Sequence, residues 1–252
     1  MPSWFMPQAS TSAVEIDNLI LMITVIVGVW FVAAELVFFW LIWKFRARDG
    51  VRAQYVAGEA KSEKKWVSYP HYAVLVFDIL ILIFALRVWN NIKISAPPGE
   101  ERVRIIAQQW AWTFQHAGPD NILDTADDIR TVEDMYVQVN RTYHFELHSK
   151  DVVHSFSVPA FRLKQDAVPG RAINGWFTAT QTGTFDVQCA EICGIGHGLM
   201  PAHLHVRTAA EHQAWMAEVA GTGAAPAEAA DMGTGEVLAH ADTARVQMGA
   251  MQ

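Results

Sequence analysis

Thiolate, imidazole and thioether groups lie close together in one short segment, residues 189–200. Cys189 and Cys193, the only two cysteines of the chain, are followed by His197 and then by Met200. Sulfur ligands combined with imidazole suit copper, whereas calcium and magnesium prefer oxygen ligands. The segment therefore predicts a copper site, and a redox-active copper site points to electron transfer.

A metal site requires further ligands from outside this segment. His154, which precedes Cys189 by 35 residues, is the candidate. Two thiolates can bridge two copper ions, with one imidazole on each ion. Two other interpretations stay open on chemistry alone. The cysteines could form a disulfide in an oxidising compartment, or bind zinc, although structural zinc usually takes four Cys or His ligands and Met200 would be a poor one.

Two apolar segments precede this region. Residues 19–43 contain a single charged residue, Glu35, and residues 67–89 contain only Asp78 and Arg87. About 20 apolar residues span a bilayer as a helix, so both segments are predicted to be transmembrane helices. Because intramembrane acids usually face a partner or a cavity, Glu35 and Asp78 are expected to contact a protein partner or to be protonated rather than to act in catalysis.

The distribution of basic residues predicts the orientation in the membrane. The connection between the two segments, residues 44–66, carries seven basic and three acidic residues, whereas residues 1–18 carry no basic residue. The positive-inside rule places this connection in the cytoplasm and both termini outside. Residues 97–252 contain 19 acidic and 10 basic residues. Such an acidic outer region would attract a basic soluble partner and argues against nucleic-acid binding.

The outer region is predicted to be β-structure. Residues 143–148 and 184–189 alternate apolar and polar side chains, as half-buried strands do, and the second strand ends at Cys189. Residues 103–110 and 204–206 are further candidate strands. The predicted fold class is mixed, with a two-helix transmembrane hairpin followed by an all-β sandwich. The predicted division is a membrane anchor, an outer domain and a loosely ordered Ala/Gly-rich tail, at residues 1–96, 97–218 and 219–252.

Taken together, these motifs resemble a known family. The pattern Cys189-x-Glu191-x-Cys193-x3-His197-x2-Met200, with the earlier His154, resembles the CuA site of cytochrome c oxidase subunit II. Residues 109–114 and 163–171 also resemble that family, and the similarity covers roughly residues 15–218. The resemblance implies a cupredoxin-like outer domain. It further implies an integral protein of the bacterial plasma membrane, or of an equivalent energy-transducing membrane, with this domain on the extracytoplasmic side.

The resemblance also implies a set of metal ligands. These are His154, Cys189, Glu191, Cys193, His197 and Met200. Cys189 and Cys193 would bridge two copper ions, and the two histidines would be terminal ligands. Met200 and the backbone carbonyl of Glu191 would be weak axial ligands. The Glu191 side chain is expected to reach a magnesium ion shared with subunit I.

The function implied by the resemblance is electron transfer within an enzyme complex. The chain would accept electrons from cytochrome c and pass them to the haem and copper centres of subunit I. There oxygen is reduced to water and protons are translocated; subunit III is a further expected partner. Trp110 would be the residue at which electrons enter. The competing interpretation is core packing, since alternation places Trp110, Trp112 and Phe114 on one face of a strand.

Three features leave alternatives open. Glu63, in the motif Glu63-x-x-Trp66, resembles a residue at the mouth of a proton channel, or it is one more interfacial charge beside two lysines. The acidic segment 118–134 could help dock a basic cytochrome c, bind calcium, or be a solvated loop. Finally, the chain could serve an oxidase-related nitric oxide reductase, or be a quinol-oxidase type of structural subunit, although the latter type lacks the copper ligands.

Overall fold

The computed structural model describes residues 6–52, 56–99 and 101–221 of the 252-residue chain. Most of the predicted tail, residues 222–252, therefore lies outside the described residues. Its first three residues, 219–221, complete the last described helix.

Two long helices form the N-terminal part. Helix α1 (Thr11–Lys44) contains the predicted span 19–43, and helix α2 (Lys61–Trp89) contains the predicted span 67–89. Both are long and apolar enough to cross a membrane, judged by length and composition. α1 begins eight residues before its apolar run because Ser10 caps it, accepting a hydrogen bond from the backbone N–H of Ala13 at 3.1 Å. At 1.5 Å per residue, this polar start adds about 12 Å to the helix, enough to project beyond the apolar span.

The remaining described residues fold into a β-sandwich. The strands in this part of the chain are β1 (Glu101–Gln108), β2 (Ala111–His116), β3 (Ile129–Val132), β4 (Asp134–Gln138), β5 (Thr142–Ser149), β6 (His154–Val158), β7 (Leu163–Ala167), β8 (Ile173–Thr178), β9 (Gly183–Cys189) and β10 (Ala202–Arg207). One sheet has the order β3-β2-β1-β5-β8 and the other β4-β10-β9-β6-β7. A final helix, α3 (Ala209–Gly221), follows β10. The predicted fold class, two helices followed by a cupredoxin-like sandwich, is confirmed.

The core lies between the two sheets and follows the period of two along each strand. In β1, Val103, Ile105 and Ala107 are fully buried. In β5, Phe145 and Leu147 are buried in the same way, and β1 pairs with β5 in parallel. Alternating burial of this kind orients every second side chain into the core and leaves the others on the outer face of the sheet.

The turn between β1 and β2 differs from the sequence expectation. The sequence pattern predicts a strand that continues toward Trp110, but β1 ends at Gln108, which pairs with Ala111. Trp110 therefore lies in a two-residue hairpin turn and is 38% exposed, whereas Trp112 and Phe114 are fully buried. The three aromatic residues do not share one face, because the turn interrupts the alternation. Core packing thus applies to Trp112 and Phe114, not to Trp110.

The acidic segment after β2 is an ordered loop. Asp124 forms an ion pair with Arg104, with N–O distances of 2.7 and 3.0 Å, and Asp128 accepts a hydrogen bond from the backbone N–H of Asp124 at 2.7 Å. Although the loop is close to Trp110 in sequence, the two lie at opposite ends of β2. A strand of this length separates its ends by roughly 20 Å, at about 3.3 Å per residue.

Residues before α1 are hydrogen-bonded to the sandwich, which ties the N-terminal helices to the β-sandwich. The backbone N–H of Ala9 donates to the carbonyl of Ala160 at 3.0 Å, and that of Thr180 donates to the carbonyl of Ala9 at 2.9 Å. The hydroxyl of Ser10 donates to the carbonyl of Phe161 at 2.9 Å. We call these contacts the N-terminal seam.

An ion pair lies beside this seam. Arg162 donates to Asp17, in the first turns of α1, with N–O distances of 2.8 and 2.7 Å. Arg162 also donates to the carbonyls of Pro7 and Pro159 at 3.1 and 2.8 Å. The side chains of Arg162 and Asp17 are only 9% and 2% exposed. The pair therefore joins the outer domain to the projecting end of α1.

Candidate metal centre

The first half of the centre is built by two neighbouring strands. β9 ends at Cys189, β6 begins at His154, and Phe156 of β6 is the register partner of Cys189. This pairing brings Cys189 Sγ to 3.8 Å from His154 Nδ1. The carbonyl oxygen of Glu191 lies 3.3 Å from the same sulfur. One thiol, one imidazole and one backbone carbonyl therefore face a common point.

The second half is built by the loop after β9. A 3-10 turn at His197–Leu199 folds the chain back toward the cysteines. Cys193 Sγ then lies 3.6 Å from His197 Nδ1 and 3.4 Å from Met200 Sδ. Cys193 and Met200 are 3% and 1% exposed, so solvent is largely excluded from this half. It holds one thiol, one imidazole and one thioether.

The two halves meet at the sulfur atoms. Cys189 Sγ and Cys193 Sγ are 3.8 Å apart and both residues are free cysteines. Ligand atoms of His154, Cys189 and Cys193 all lie within 4.8 Å of one another. Each sulfur has its own imidazole and its own weaker ligand, which fits two soft cations sharing two thiolates better than a single tetrahedral zinc.

The raised pKa of Cys193 couples metal binding at the centre to the release of a proton. Burial, together with the neighbouring Cys189 sulfur, raises the pKa of the Cys193 thiol to about 11. Because thiolates are the form that binds metals, a cation entering the centre must displace this proton. Metal binding is therefore expected to release protons.

Asp151 is a functional residue that the sequence reasoning missed. Its Oδ1 lies 2.9 Å from His154 Nε2, and its Oδ2 accepts a hydrogen bond from the backbone N–H of Gln109 at 2.6 Å. Partial burial raises the pKa of the Asp151 carboxyl, but hydrogen bonds from Gln109, His154 and Val152 outweigh that effect and hold the pKa below its usual value. The carboxylate favours the His154 tautomer in which Nε2–H donates to it, and Nδ1 is then free to bind a metal. In the sequence, only the spacing of three residues between Asp151 and His154 indicates that the two side chains could meet.

The turn that bears Trp110 is hydrogen-bonded directly to the segment 189–200, which we call the metal loop. Gln109 Nε2 donates to the carbonyl of Cys193 at 2.7 Å. A Cβ atom at Gly196 would overlap the indole ring of Trp110, so the ring lies against the loop backbone where only glycine leaves room. Gly194 has a φ of +122°, a conformation that side chains rarely adopt. Trp110 thus contacts the metal loop with one side and solvent with the other.

Three large apolar side chains near the centre in sequence are exposed. Ile192, Ile195 and Leu199 are 77%, 94% and 80% exposed. All three belong to the metal loop itself. An apolar patch of this kind usually marks a contact surface for another protein.

Two predicted site residues lie apart from the sulfur atoms. The side chain of Glu191 is exposed, although its carbonyl faces Cys189. Glu63 lies in the first turn of α2, where its carboxylate accepts a hydrogen bond from the backbone N–H of Ala60 at 3.4 Å. This contact caps the helix, which is a local role for Glu63.

The fold and the centre together define a class of protein. The chain is a β-sandwich carried by two membrane-span helices, with a thiolate, imidazole and thioether centre at one end. A family model for the periplasmic domain of cytochrome c oxidase subunit II matches residues 102–206. The chain belongs to the cytochrome c oxidase subunit II family and is thus a component of that oxidase complex.

Two protein relatives support this assignment, and one solved structure is similar in sequence to part of the chain. The chain is 31% identical to the alternative cytochrome c oxidase subunit 2 of Bradyrhizobium diazoefficiens, over 85% of this chain and 83% of the relative. It is 29% identical to cytochrome c oxidase subunit 2 of Cereibacter sphaeroides, over 86% of this chain and 80% of the relative. The crystal structure of the periplasmic domain of subunit II of the Bradyrhizobium japonicum cytochrome oxidase shares 30% identity, with a TM-score of 0.45, covering 51% of this chain and 99% of that one.

Proposed function

We propose that this chain accepts electrons from cytochrome c at a dinuclear copper centre and passes them to the haem and copper centres of subunit I. Oxygen would be reduced to water there, with protons translocated across the membrane. The observation that carries the proposal is the paired geometry of the sulfur atoms. Each cysteine has one imidazole and one weak ligand within 3.3 to 3.8 Å.

The residues of the centre have distinct roles in this proposal. When bound, two copper ions supply a one-electron carrier. Cys189 and Cys193 would hold the copper ions together, with His154 and His197 as the imidazole ligands. Met200 and the Glu191 carbonyl are weaker ligands that adjust the potential. Asp151 fixes the ring of His154, and burial of Cys193 and Met200 limits solvent access to that half of the centre.

Further assignments accompany the proposal. The exposed carboxylate of Glu191 is available for a magnesium ion shared with subunit I, and Glu63 marks the mouth of a proton channel. Subunit III is a further partner. The chain is integral to an energy-transducing membrane, with residues 1–96 as the anchor, residues 97–218 as the extracytoplasmic domain, and residues 219–252 as a tail. The alternative function is the electron-accepting subunit of an oxidase-related nitric oxide reductase, because the acceptor chemistry belongs to subunit I.

Metal analysis and electron paramagnetic resonance of the purified complex test the copper assignment. We expect two copper ions per chain in this centre. The oxidised form should show one unpaired electron shared equally by both copper nuclei. A four-line hyperfine pattern from a single mononuclear copper ion would contradict the proposal. Oxygen and nitric oxide consumption by the same preparation separates the two candidate acceptors.

Replacing Trp110 by alanine should slow electron transfer from cytochrome c by about tenfold, equivalent to about 1.4 kcal/mol in the barrier. The indole is the group that contacts both solvent and the loop carrying Cys193. Stopped-flow reduction of the complex by cytochrome c measures the rate. Ile122→Ala, at an exposed apolar residue of the acidic loop, is the control. An unchanged rate in the Trp110 variant, with a normal copper spectrum, would rule out this role.

Neutralising the acidic loop should have little effect on the same reaction. Asp120 and Asp127 are exposed, but their loop lies at the opposite end of β2 from Trp110, roughly 20 Å away. Charges at that distance are screened at physiological ionic strength, where the Debye length is about 8 Å. We therefore expect the salt dependence of cytochrome c oxidation to be unchanged in the double variant Asp120→Asn, Asp127→Asn. A flatter salt dependence would identify the loop as a docking surface. Asp124 is left intact because its ion pair with Arg104 orders the loop.

A further inference from the structure

Two histidines and two aspartates form a group on the outer face of the second sheet, away from the sulfur centre. His203 of β10 is the register partner of Asp134 on one side and of Asp186 on the other. His205, two residues further along β10, projects from the same face. Directly opposed side chains on neighbouring strands have Cβ atoms about 5 Å apart, so the four side chains share one small area. We call them the outer-face cluster.

Part of the cluster is already arranged as a ligand set. His205 Nε2 lies 2.7 Å from Asp134 Oδ1, and His205 Nδ1 lies 3.1 Å from the hydroxyl of Thr184. The ring is also stacked on Tyr136, with 4.8 Å between ring centroids and 17° between planes. Metal-binding histidines typically use one nitrogen for the metal and the other for a hydrogen bond that fixes the ring. Thr184 and Tyr136 provide this support, and Nε2 is directed at the carboxylate.

The other part of the cluster is adjustable. His203 Nδ1 lies 3.9 Å from the same Asp134 oxygen, and its side chain is half exposed. The centroids of the two imidazole rings are 6.2 Å apart. Ligand atoms around a tetrahedral zinc ion are about 3.3 Å apart, since each bond is about 2.0–2.2 Å long. The 2.7 Å distance between His205 and Asp134 must open slightly, which a small rotation of the Asp134 carboxylate accomplishes, and His203 must rotate toward the other two ligands to close its 3.9 Å distance.

We propose that the outer-face cluster binds a divalent transition-metal cation, through His203, His205 and Asp134, with Asp186 available as a fourth ligand. Two imidazoles and one or two carboxylates suit Zn²⁺, whereas the sulfur centre suits copper. The site joins β4, β9 and β10, and β9 and β10 flank the loop that carries Cys193 and Met200. A bound cation would therefore cross-link the strands on which the electron-transfer centre is built.

The test is a titration of the full-length protein in its purified complex with Zn²⁺, followed by metal analysis. We expect one zinc equivalent that is lost, or bound at least tenfold more weakly, in His203→Asn and in His205→Asn. His144→Asn, which removes a partly exposed histidine on β5 in the other sheet, is the matched control and should bind as the parent does. Unchanged zinc binding in both cluster variants, or no zinc equivalent in the parent, would overturn the proposal.

Two further measurements separate this site from the sulfur centre. Co²⁺ bound at the outer-face cluster should show the visible absorption of a nitrogen and oxygen site, without the charge-transfer absorption that thiolate ligands produce. Cobalt absorption with thiolate character would assign the ion to Cys189 and Cys193 and count against the cluster. Asp134→Asn provides a variant of similar shape in case a histidine variant folds poorly, and it should also weaken Zn²⁺ binding. Because none of these measurements uses copper, their outcome is independent of the proposed function.

Discussion

Replacing Cys189 or Cys193 by serine is expected to eliminate the proposed dinuclear copper centre. Each sulfur contacts the other at 3.8 Å and has its own imidazole within 3.8 Å, so the loss of one removes a ligand shared by both metal positions. A hydroxyl does not replace a thiolate, because it is a harder ligand and remains protonated near neutral pH. Copper analysis and the optical spectrum of the purified complex measure the result.

Met200→Leu is the matched control for the cysteine variants. Met200 is 1% exposed and its sulfur contacts only the Cys193 side of the centre, at 3.4 Å. Leucine has a similar volume, so packing should be kept at a cost below about 1.5 kcal/mol. We expect both copper ions to remain, with a changed reduction potential. Loss of all copper from this variant would show that the proposed ranking of strong and weak ligands is wrong.

Arg162→Met should destabilise the contact between the β-sandwich and α1 by about 3–5 kcal/mol. The substitution leaves Asp17, which is 2% exposed, as a buried charge without its Arg162 partner. It also removes the donors to the carbonyls of Pro7 and Pro159. Faster hydrogen exchange at the backbone amides of the N-terminal seam, Ala9 and Thr180, is the expected readout.

Two further variants isolate the effect of burial. Lys164→Met breaks the ion pair between Lys164 and Asp166, two side chains that are 52% and 47% exposed. The loss of stability should be less than about 1 kcal/mol. The double variant Arg162→Met, Asp17→Leu removes both buried charges and should recover part of the lost protection. If Arg162→Met and Lys164→Met change the exchange rates equally, the buried pair has no special role.

Local patterns in the sequence were sufficient for the architecture. The apolar runs 19–43 and 67–89 predicted both helices, because a membrane span depends on hydropathy over one continuous segment. The alternation at 143–148 and 184–189 predicted β5 and β9, since the side-chain period of a strand is also local. The metal loop could be predicted equally well, because Cys189 and Cys193 are separated by only three residues.

Contacts between residues that are far apart in the sequence could not be predicted in the same way. Asp17 and Arg162 are 145 residues apart, and nothing in either local sequence indicates the other. The hydrogen bond from Gln109 to Cys193 depends on where the β1–β2 turn falls, and a regular alternation past Trp110 conceals that turn. The requirement for glycine at position 196 arises from the indole ring of Trp110, which occupies the space that a side chain would need.

The N-terminal seam has a consequence for the order of assembly during synthesis. Ala9 and Ser10 leave the ribosome first, yet their partners lie about 150 residues later, at Ala160, Phe161 and Thr180. At about 5–20 residues per second, the intervening chain takes about 8–30 s to make. Both helices are complete well before then, so the residues that hydrogen-bond Ala9 and Ser10 reach a segment whose two following helices have already been made.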